Sequence, residues 1–339
     1  MDVPAIRHPI ATTLFAVFAL GAVAAPAGAA EEHATLAIPG VNVLFLARYI
    51  ADDLHLWQKE GLDVKILNIN GIGSMNAVIA GSADFSMSSG PSITRAYAKG
   101  QKLVALATAI DQSGQDIVLR KDVAEAHHFD PNAPLEVRAK ILKGLTLSVG
   151  GAAAIPDVVL RVVAKSAGIA PDEMTVTPMQ PPETMAAFKR KAIDGFAAGP
   201  PYIQQVLLDG TGVILSDASK GEPKEYSPVS AALLLSRADF CKAHQSICRK
   251  MVQGVLAATK VIRDDPKASL AVMKAHFGTY NEKVLEAAYQ MVRAMTAVPP
   301  VTTAKMLENS DDMNVRAGFI KESDKLKNYN DVIDNAYFK

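Results

Sequence analysis

The 339-residue chain has few of the residues that usually indicate a particular chemistry. It contains two cysteines and one tryptophan, and aromatic residues make up only 6% of the sequence. Its 35 basic residues balance its 35 acidic residues, so the formal net charge is zero. A neutral chain offers no basic surface that would hold nucleic acid. Nucleic acid is therefore not an expected partner, and any anionic ligand would have to be bound by local groups.

The two cysteines, Cys241 and Cys248, lie seven positions apart. On one straight helix their Cα atoms would be about 10 Å apart, which is too far for a disulfide. A turn near residues 244–246 would instead let them pair in an oxidising compartment. Both alternatives stay open at this point, and neither gives the cysteines a functional role.

Motifs of catalytic and metal sites are also missing. The sequence has no G-x-S-x-G elbow, and its seven histidines include no H-E-x-x-H pair. His127 and His128 lie in a polar segment, and neither cysteine has the surroundings of a nucleophile. We therefore predict that the protein is not an enzyme and uses no cofactor or metal.

Long apolar runs are confined to the N-terminus. Arg7 and His8 precede an apolar segment at residues 10–25, and Ala27-Gly28-Ala29 has the small residues of a cleavage site. A membrane anchor fits less well, because the run is short and no polar flank follows it. The pattern predicts a signal peptide at residues 1–30 and export to the periplasm. No cysteine lies near the cleavage site, so no lipid anchor is expected.

Residues 75–93 recur at residues 185–203 with a constant offset of 110. The identical pairs are Met75 and Met185, Ala77 and Ala187, Asp84 and Asp194, Pro91 and Pro201, and Ile93 and Ile203. Each copy ends in a loop of small residues. The repeat predicts two related lobes with facing loops, and clefts between domains are common sites for small ligands.

Apolar strand patterns alternate with helical ones over most of the chain, which predicts βαβ units and largely parallel sheets. Residues 115–120 are expected to cross into the second lobe, and residues 231–235 to return from it. The expected lobe I is therefore 31–115 with 232–339, and lobe II is 116–231. Further expectations are a helix over 43–60, a polar surface excursion at 121–143, short helices at 311–313 and 320–326, and a tail at 329–339 that docks on the first lobe.

Two loops are candidates for a ligand site. Ser88-Ser89-Gly90-Pro91 follows a strand and precedes a helix, so its hydroxyls and backbone can donate to a polar ligand. Its repeat partner ends in Tyr202, and we place this phenol in the cleft rather than only in the core. Arg95, on the helix after the serine loop, is a further candidate for an anionic ligand or for a solvent-exposed position.

The loop Gly71–Asn76 matches the first four positions of a G-x-G-x-x-G fingerprint but ends in Asn76, and the nearest acidic residue, Asp84, comes too soon for a dinucleotide site. The loop is either a small-anion site at a helix N-terminus or a plain tight turn. Asp84 and Asp194 resemble a catalytic carboxylate pair, but their positions before strands favour local capping.

The chain resembles the periplasmic solute-binding proteins of nitrate/sulfonate/taurine-type (NitT/TauT) ABC importers, a family that includes binders of thiamine-pathway pyrimidines. The segments that carry the resemblance are Gly61-Leu-Asp-Val-Lys65, Ala80-Gly-Ser-Ala-Asp84, Lys143-Gly-Leu-Thr-Leu-Ser-Val149, Ala192-Ile-Asp-Gly195 and Asp331-Val-Ile-Asp-Asn335. The resemblance implies an α/β fold of the periplasmic-binding-protein type II, in which two lobes are joined by two crossover strands. It also places ligand-binding loops at Gly40-Val41-Asn42, Gly73-Ser74, Ser88-Ser89-Gly90, Gly150-Gly151-Ala152 and Gly199-Pro200-Pro201.

The sequence departs from the family pattern in two of these loops. Gly199-Pro200-Pro201 stands where the family often has a Trp-Glu-Pro-like segment, and Ala152-Ala153-Ala154 where it often has serine or threonine. Fewer donors on this side favour a larger, partly apolar ligand, such as an aromatic acid or heterocycle, over nitrate and small sulfonates.

The resemblance implies a monomeric binding protein that captures a small organic or anionic solute and delivers it to an inner-membrane ABC permease. An enzyme similar to a pyrimidine-precursor synthase is an alternative on the same fold, but it would need a cleft rich in cysteine and histidine and no export signal. A periplasmic sensor that presents its ligand to a receptor is a third hypothesis. The residues do not distinguish it from transport.

Overall fold

The computed structural model describes residues 1–2 and 31–338, and within these residues ten strands form two five-stranded sheets. The strands are β1 (Glu32–Ile38), β2 (Leu62–Asn68), β3 (Phe85–Ser88), β4 (Leu103–Ile110), β5 (Asp116–Arg120), β6 (Thr146–Val149), β7 (Thr175–Pro178), β8 (Gly195–Ala198), β9 (Gly212–Ser216) and β10 (Ala232–Arg237). Apart from its first two residues, the predicted signal peptide at residues 1–30 lies outside the described residues, so it stays a prediction.

Helices connect the strands and form most of the chain after β10. They are α1 (Leu46–Asp53), α2 (Leu56–Lys59), α3 (Gly73–Ile79), α4 (Gly90–Ala98), α5 (Lys121–Ala126), α6 (Leu135–Arg138), α7 (Ile155–Ser166), α8 (Pro181–Lys189), α9 (Tyr202–Leu208), α10 (Ala238–Ala243), α11 (Gln245–Asp264), α12 (Pro266–Phe277), α13 (Glu282–Met295) and α14 (Ala304–Arg316). Short 3₁₀ turns include Val43–Phe45 before α1 and Glu322–Asp324 after α14. None of the helices in the described residues combines the length and apolar character that a membrane crossing requires.

The two sheets have the same strand arrangement. The first has the order β2-β1-β3-β10-β4 and the second the order β7-β6-β8-β5-β9. In each, the fourth strand in the order is antiparallel to both of its neighbours, and the other four strands run in one direction. That strand is β10 in the first sheet and β5 in the second, and these are the strands on which the chain passes between sheets. The predicted α/β, two-lobe, type II fold is confirmed, while the lobe boundaries at 115/116 and 231/232 stay a prediction.

Each sheet is covered on both faces by apolar side chains. One face of the first sheet packs against α1, α11, α12 and α13, and Trp57 is fully buried there. The Trp57 indole N–H donates to the Met251 carbonyl at 3.2 Å. The other face packs against α3 and α4, and the second sheet has cores of its own on both faces. Because both sheets are rigidly packed, the loops at their ends are held in defined positions.

Four expectations about single elements need correction or completion. The helix predicted over 43–60 is broken into a 3₁₀ turn, α1 and α2, because His55 adopts a left-handed conformation (φ 54°). The excursion at 121–143 contains α5 and α6. The short helix predicted at 311–313 is part of the longer α14, and 320–326 holds only a 3₁₀ turn.

The open question of the cysteines is answered by a turn. His244 separates α10 from α11, so the Cα atoms of Cys241 and Cys248 lie 5.7 Å apart and the two residues form a disulfide. The C-terminal tail docks on the first lobe as predicted. Ile333 bridges to Ala105 of β4, and the Gln253 amide donates to the Tyr337 carbonyl at 2.7 Å.

Candidate functional site

Two adjoining chambers lie between the sheets, where loops of both lobes meet. The larger has a volume of about 120 Å³ and the smaller of about 50 Å³. Both are lined by Asn42, Gln115, Gly150, Pro156 and Pro181. The larger is completed by Pro39, Gly40, Val41, Leu44, Phe45, Gly71, Ala154, Ile155, Gln180 and Ala231, and the smaller by Met179, Thr184, Met185, Phe196, Ala197, Ala198, Gly199 and Tyr202.

The loop after β1 forms the first-lobe wall of the larger chamber. Pro39-Gly40 ends the strand, and Gly40 has a φ of 149°, which an L side chain rarely adopts. Asn42 then accepts the Leu44 N–H at 2.8 Å and thereby starts the following 3₁₀ turn. The Asn42 oxygen is thus already used within the loop, which holds the chamber wall in place.

On the second-lobe side, the helices α7 and α8 begin at the chambers. The Gln180 amide donates to the Gly150 carbonyl at 3.1 Å and ties the start of α8 to the loop after β6. The Thr184 hydroxyl pairs with the Ser148 hydroxyl at 2.8 Å. These polar side chains are therefore also engaged by protein groups.

Hydrogen bonds join the two lobes beside the chambers. The Tyr202 hydroxyl of α9 donates to the Val41 carbonyl at 3.1 Å, and the Val43 N–H donates to the Pro200 carbonyl at 3.4 Å. The Tyr202 ring also meets the Tyr280 ring edge-on, with centroids 6.0 Å apart. Burial raises the pKa of the Tyr202 phenol, so the hydroxyl stays protonated and donates at physiological pH.

The structure brings together six of the fifteen site residues proposed from the sequence. Gly40, Val41, Asn42, Gly150, Gly199 and Tyr202 line the chambers. Gly73, Ser74, Ser88, Ser89, Gly90, Arg95, Gly151, Ala152 and Pro200 are not among the lining residues. The role of these fifteen residues in binding stays a prediction.

The serine loop uses its polar groups within the first lobe. The Ser89 hydroxyl pairs with that of Ser92 at 3.1 Å, and the Gly90 N–H donates to the Ser230 carbonyl at 2.7 Å. A Cβ atom at Gly90 would lie 2.2 Å from the Ser310 hydroxyl oxygen. The loop is therefore packed against the return crossover and α14, with little room for a ligand. The Ser74 hydroxyl is likewise turned inward and donates to the Gly71 carbonyl at 3.2 Å.

Arg95 reaches from the first lobe to the second. Its guanidinium donates to the Ala153 carbonyl at 2.5 Å and also to the Asn314 side chain. Ala153 itself has a left-handed backbone (φ 57°), which the Asp157 carboxylate supports by accepting the Ala153 N–H at 2.7 Å. Burial lowers the pKa of Arg95 to about 10, so the side chain remains charged at neutral pH. In this conformation Arg95 holds the lobes together at the rim.

Sequence reasoning missed Gln115, which lines both chambers. The residue is 3% exposed, and its side-chain oxygen has no hydrogen-bond partner. A buried amide oxygen without a partner costs free energy, which a ligand that donates a hydrogen bond can recover. The position of Gln115 at the start of the first crossover, between the lobes, could have indicated a site residue. In the sequence, residues 115–120 are interpreted only as a segment that connects the lobes.

The chambers are electrically neutral. Among the described residues, no side chain that lines them is charged. The helix starts that face them are also poor in donors, because Pro156 of α7 and Pro181 and Pro182 of α8 carry no N–H. No group of three potential ligand side chains suited to a metal occurs in the described part of the chain.

A buried carboxyl group lies directly behind the chambers. Asp116 follows Gln115 on the crossover and accepts the Ala218 N–H at 2.8 Å. Burial, reinforced by the neighbouring Asp217, raises the pKa of Asp116 to about 7. Glu222 also faces it and is held by Arg138. None of the residues of this cluster lines the chambers.

Comparison with solved structures supports the same architecture. The chain is similar to the alkanesulfonate-binding protein from Xanthomonas axonopodis pv. citri bound to MOPS, with a TM-score of 0.72, 13% identity, and coverage of 91% of this chain and 100% of the other. It is also similar to the periplasmic nitrate-binding protein from Synechocystis PCC 6803, with a TM-score of 0.72, 15% identity, and coverage of 90% and 87%. At these identities the similarity shows the fold alone.

The same fold is shared by a desulfurization enzyme, with a TM-score of 0.61, 11% identity, and coverage of 90% of this chain and 97% of the other. No curated protein matches the sequence. A family model described as the NMT1-like family matches residues 39–275. With the solved structures, this match confirms the resemblance to NitT/TauT-type binding proteins. The match spans more than half of the sequence, so the chain belongs to the NMT1-like family.

Proposed function

We propose that the protein is the periplasmic solute-binding component of an ABC importer. It would capture a small organic or anionic solute between its lobes and deliver it to a membrane permease. The observation that carries this proposal is the pair of chambers enclosed by loops from both lobes. Solved proteins that share the fold include a sulfonate-binding and a nitrate-binding protein.

The contacts between the lobes suit a protein that closes around its ligand. Tyr202 and Arg95 each donate a hydrogen bond to a backbone carbonyl of the opposite lobe. A ligand held between the lobes would add contacts that exist only when they are closed. Binding would then shift the equilibrium toward the closed form, which is the form that a permease can recognise.

Several features agree with a periplasmic, non-catalytic role. The disulfide between Cys241 and Cys248 is of a kind that persists in oxidising compartments. Among the described residues that line the chambers there is no cysteine, histidine or acidic side chain to serve as nucleophile or base. We therefore favour binding over the chemistry of an enzyme on the same fold. Export by residues 1–30, the lobe boundaries and a monomeric state belong to this proposal.

A thermal-shift screen of the chain from residue 31 onward tests the proposal. The panel contains nitrate, alkyl sulfonates, aromatic carboxylates and pyrimidines. A ligand at a hundredfold excess over its dissociation constant adds about 2.7 kcal/mol to the stability of the folded state. We expect one class to raise the melting temperature without being converted into a product. Turnover of a panel member, detected by mass spectrometry, would contradict a binding role.

A further inference from the structure

We infer that the cleft is built for a small uncharged ligand, largely apolar, whose neutral polar group hydrogen-bonds to Gln115. This inference rests on the proposed binding function and names its ligand class. The ligand would be a compact molecule with a group such as an amide or a hydroxyl. Sulfonates, carboxylates and nitrate would be rejected.

The first support is that the chambers offer no counter-charge for an ionic ligand. An ion that leaves water needs a counter-charge or several hydrogen bonds, otherwise its desolvation is too costly. Among the described residues, no lining side chain supplies a charge. Arg95, the charged candidate from the sequence, is engaged by Ala153 and Asn314. An anion in the chambers would remain unpaired.

The second support concerns the backbone donors. Helix N-termini bind anions through free N–H groups. At the starts of α7 and α8, Pro156, Pro181 and Pro182 have none, and the Ala153 N–H is taken by Asp157. Anion binding by free backbone N–H groups is therefore weakened at the starts of α7 and α8.

The third support is the state of the polar lining residues. Asn42, Gln180, Thr184 and Tyr202 all make hydrogen bonds within the protein. Gln115 differs from them, because its side-chain oxygen is buried and unpartnered while the residue lines both chambers. An amide presents both an acceptor and donors, so it can pair with a neutral polar group of a ligand.

The remaining lining is apolar and of limited size. Phe45, Ile155, Met179, Met185 and Phe196 contribute side chains to the walls. The two chambers, of about 120 and 50 Å³, compare with an engineered cavity of about 150 Å³ in another protein that takes up benzene. A single ring, or an aliphatic chain of similar volume, would fill this space.

Calorimetric titration with matched probes tests the inference. The probes are benzamide, benzoate and benzenesulfonate, together with butyramide, butyrate and propanesulfonate. Within each set the carbon skeleton is similar and the polar group changes. We expect at least one amide to bind, and to bind at least tenfold more tightly than the anions of its set.

Two variants locate the recognition. Gln115→Met keeps a similar side-chain length and removes the amide, and we expect it to weaken amide binding at least tenfold. Gln112→Met is the matched control, because Gln112 lies in the connection between β4 and β5 and also has an unpartnered oxygen but does not line the chambers. It is expected to leave affinity within twofold. Circular dichroism checks that both variants fold. If a variant does not fold, the preference of the unaltered protein for amides over anions still tests the inference.

The outcomes separate this inference from the proposed function. Tighter binding of an anion than of its amide overturns the ligand class, but still supports a solute-binding role. Equal amide affinity in Gln115→Met and the unaltered protein also overturns it. If neither amide binds, the inference fails, and the proposed function is then decided by the broader thermal-shift panel.

Discussion

Asp84 and Asp194 show how one residue can perform the same structural task in both lobes. The Asp84 carboxylate accepts the N–H and the hydroxyl of Thr35 at 2.8 and 2.7 Å. The Asp194 carboxylate accepts the N–H of Thr146 at 2.8 Å. Thr35 lies on β1 and Thr146 on β6. Each aspartate therefore connects the residue just before one strand, β3 or β8, to the neighbouring strand of the same sheet. These bonds support a structural role, but they reach a neighbouring strand rather than cap the chain locally as predicted.

Replacing Asp84 tests this role. Asp84→Ala leaves both Thr35 donors unpaired in a half-buried position, so we expect the free energy of unfolding to fall by about 1–3 kcal/mol. Urea denaturation followed by circular dichroism measures the change. Asp239→Ala removes a carboxylate whose side chain is 83% exposed and is expected to change stability by less than about 0.5 kcal/mol. Equal effects of the two substitutions would contradict the assignment.

At the same scale, the candidate site was only partly visible in the sequence. Turn-forming residues such as Gly40 and Gly150 mark loops, and the repeat indicates which loops face each other. These signals located only part of the chamber walls, because nine of the fifteen proposed residues do not line the chambers. Gln115 was not found, because a polar residue before a strand has no periodic signature. Its importance depends on burial without a partner, which only the packed structure reveals.

Among the helices, α11 is placed by an unusually close contact. Gly254 faces the Trp57 ring, and a Cβ atom at Gly254 would lie 2.1 Å from the ring carbon Cδ1. Because Gly254 has no side chain, the buried indole packs directly against the helix, and its N–H donates to the Met251 carbonyl. The broken α1–α2 segment positions Trp57 for this contact.

Gly254→Ala is therefore expected to destabilise the protein. In an open helix interior the change from glycine to alanine stabilises by about 0.5–1 kcal/mol. Here the added methyl group overpacks the core, so we expect a net loss of about 1–3 kcal/mol in urea denaturation. Lys260→Ala, on the exposed face of the same helix, is the control and should have little effect. A rise in stability for Gly254→Ala would show that Trp57 packs elsewhere.

Helix α14 explains why element prediction failed near the C-terminus. Its buried face carries the polar residues Asn309, Asp311 and Asn314 beside the apolar Met306, Leu307 and Met313. Asn309 donates to the Pro228 carbonyl, Asn314 to the Pro91 carbonyl, and Asp311 accepts the Leu326 N–H. Polar residues at these buried positions interrupt the apolar pattern, so hydrophobic periodicity is a weaker signal for this helix.

On the scale of the whole molecule, the repeat predicted the architecture well. The offset of 110 overlays β3 on β8 and α4 on α9, and the two sheets have equivalent strand orders. The segments expected to cross between the lobes, 115–120 and 231–235, overlap β5 and β10, on which the chain passes between the sheets. The closeness of the lobes was not predictable, since it depends on contacts such as that of Arg95 with Ala153.

Arg95→Ala should favour separation of the lobes. The substitution removes a bond to the second lobe without altering a residue that lines the chambers. Because apparent affinity falls with the fraction of competent closed protein, we expect ligand affinity to fall about tenfold. Small-angle X-ray scattering should show a larger radius of gyration at equal ligand concentration. Arg190→Ala, which changes an exposed arginine of the second lobe, is the control and should change neither quantity. Unchanged affinity in Arg95→Ala would show that the bond between Arg95 and Ala153 does not hold the lobes together.

Stability of the whole molecule should depend on pH through Asp116. Its pKa is raised to about 7, whereas an unfolded aspartate titrates near about 4. Between these values the folded protein keeps a proton that the unfolded chain has lost, so stability falls as pH rises through this window. Asp116→Asn keeps the acceptor for the Ala218 N–H and cannot titrate.

The free energy of unfolding of the unaltered protein should therefore fall relative to that of Asp116→Asn as the pH rises. We expect this relative fall to be roughly 2–3 kcal/mol between about pH 5 and pH 8. Urea denaturation at several pH values gives this difference directly. Effects of Asp217, Glu222 and Lys220, which also face Asp116, would have to be similar in both proteins. Parallel stability profiles would show that Asp116 is not the responsible group.

The pairing of Cys241 with Cys248 has a practical consequence. These are the only cysteines in the sequence, so the oxidised protein presents no reactive thiol. Cysteines introduced at the exposed positions Lys59, beside the first sheet, and Lys189, beside the second, would be the sole targets for maleimide dyes. Energy transfer between such dyes would follow the lobes of single molecules as they open and close, without removal of any native residue that the fold needs.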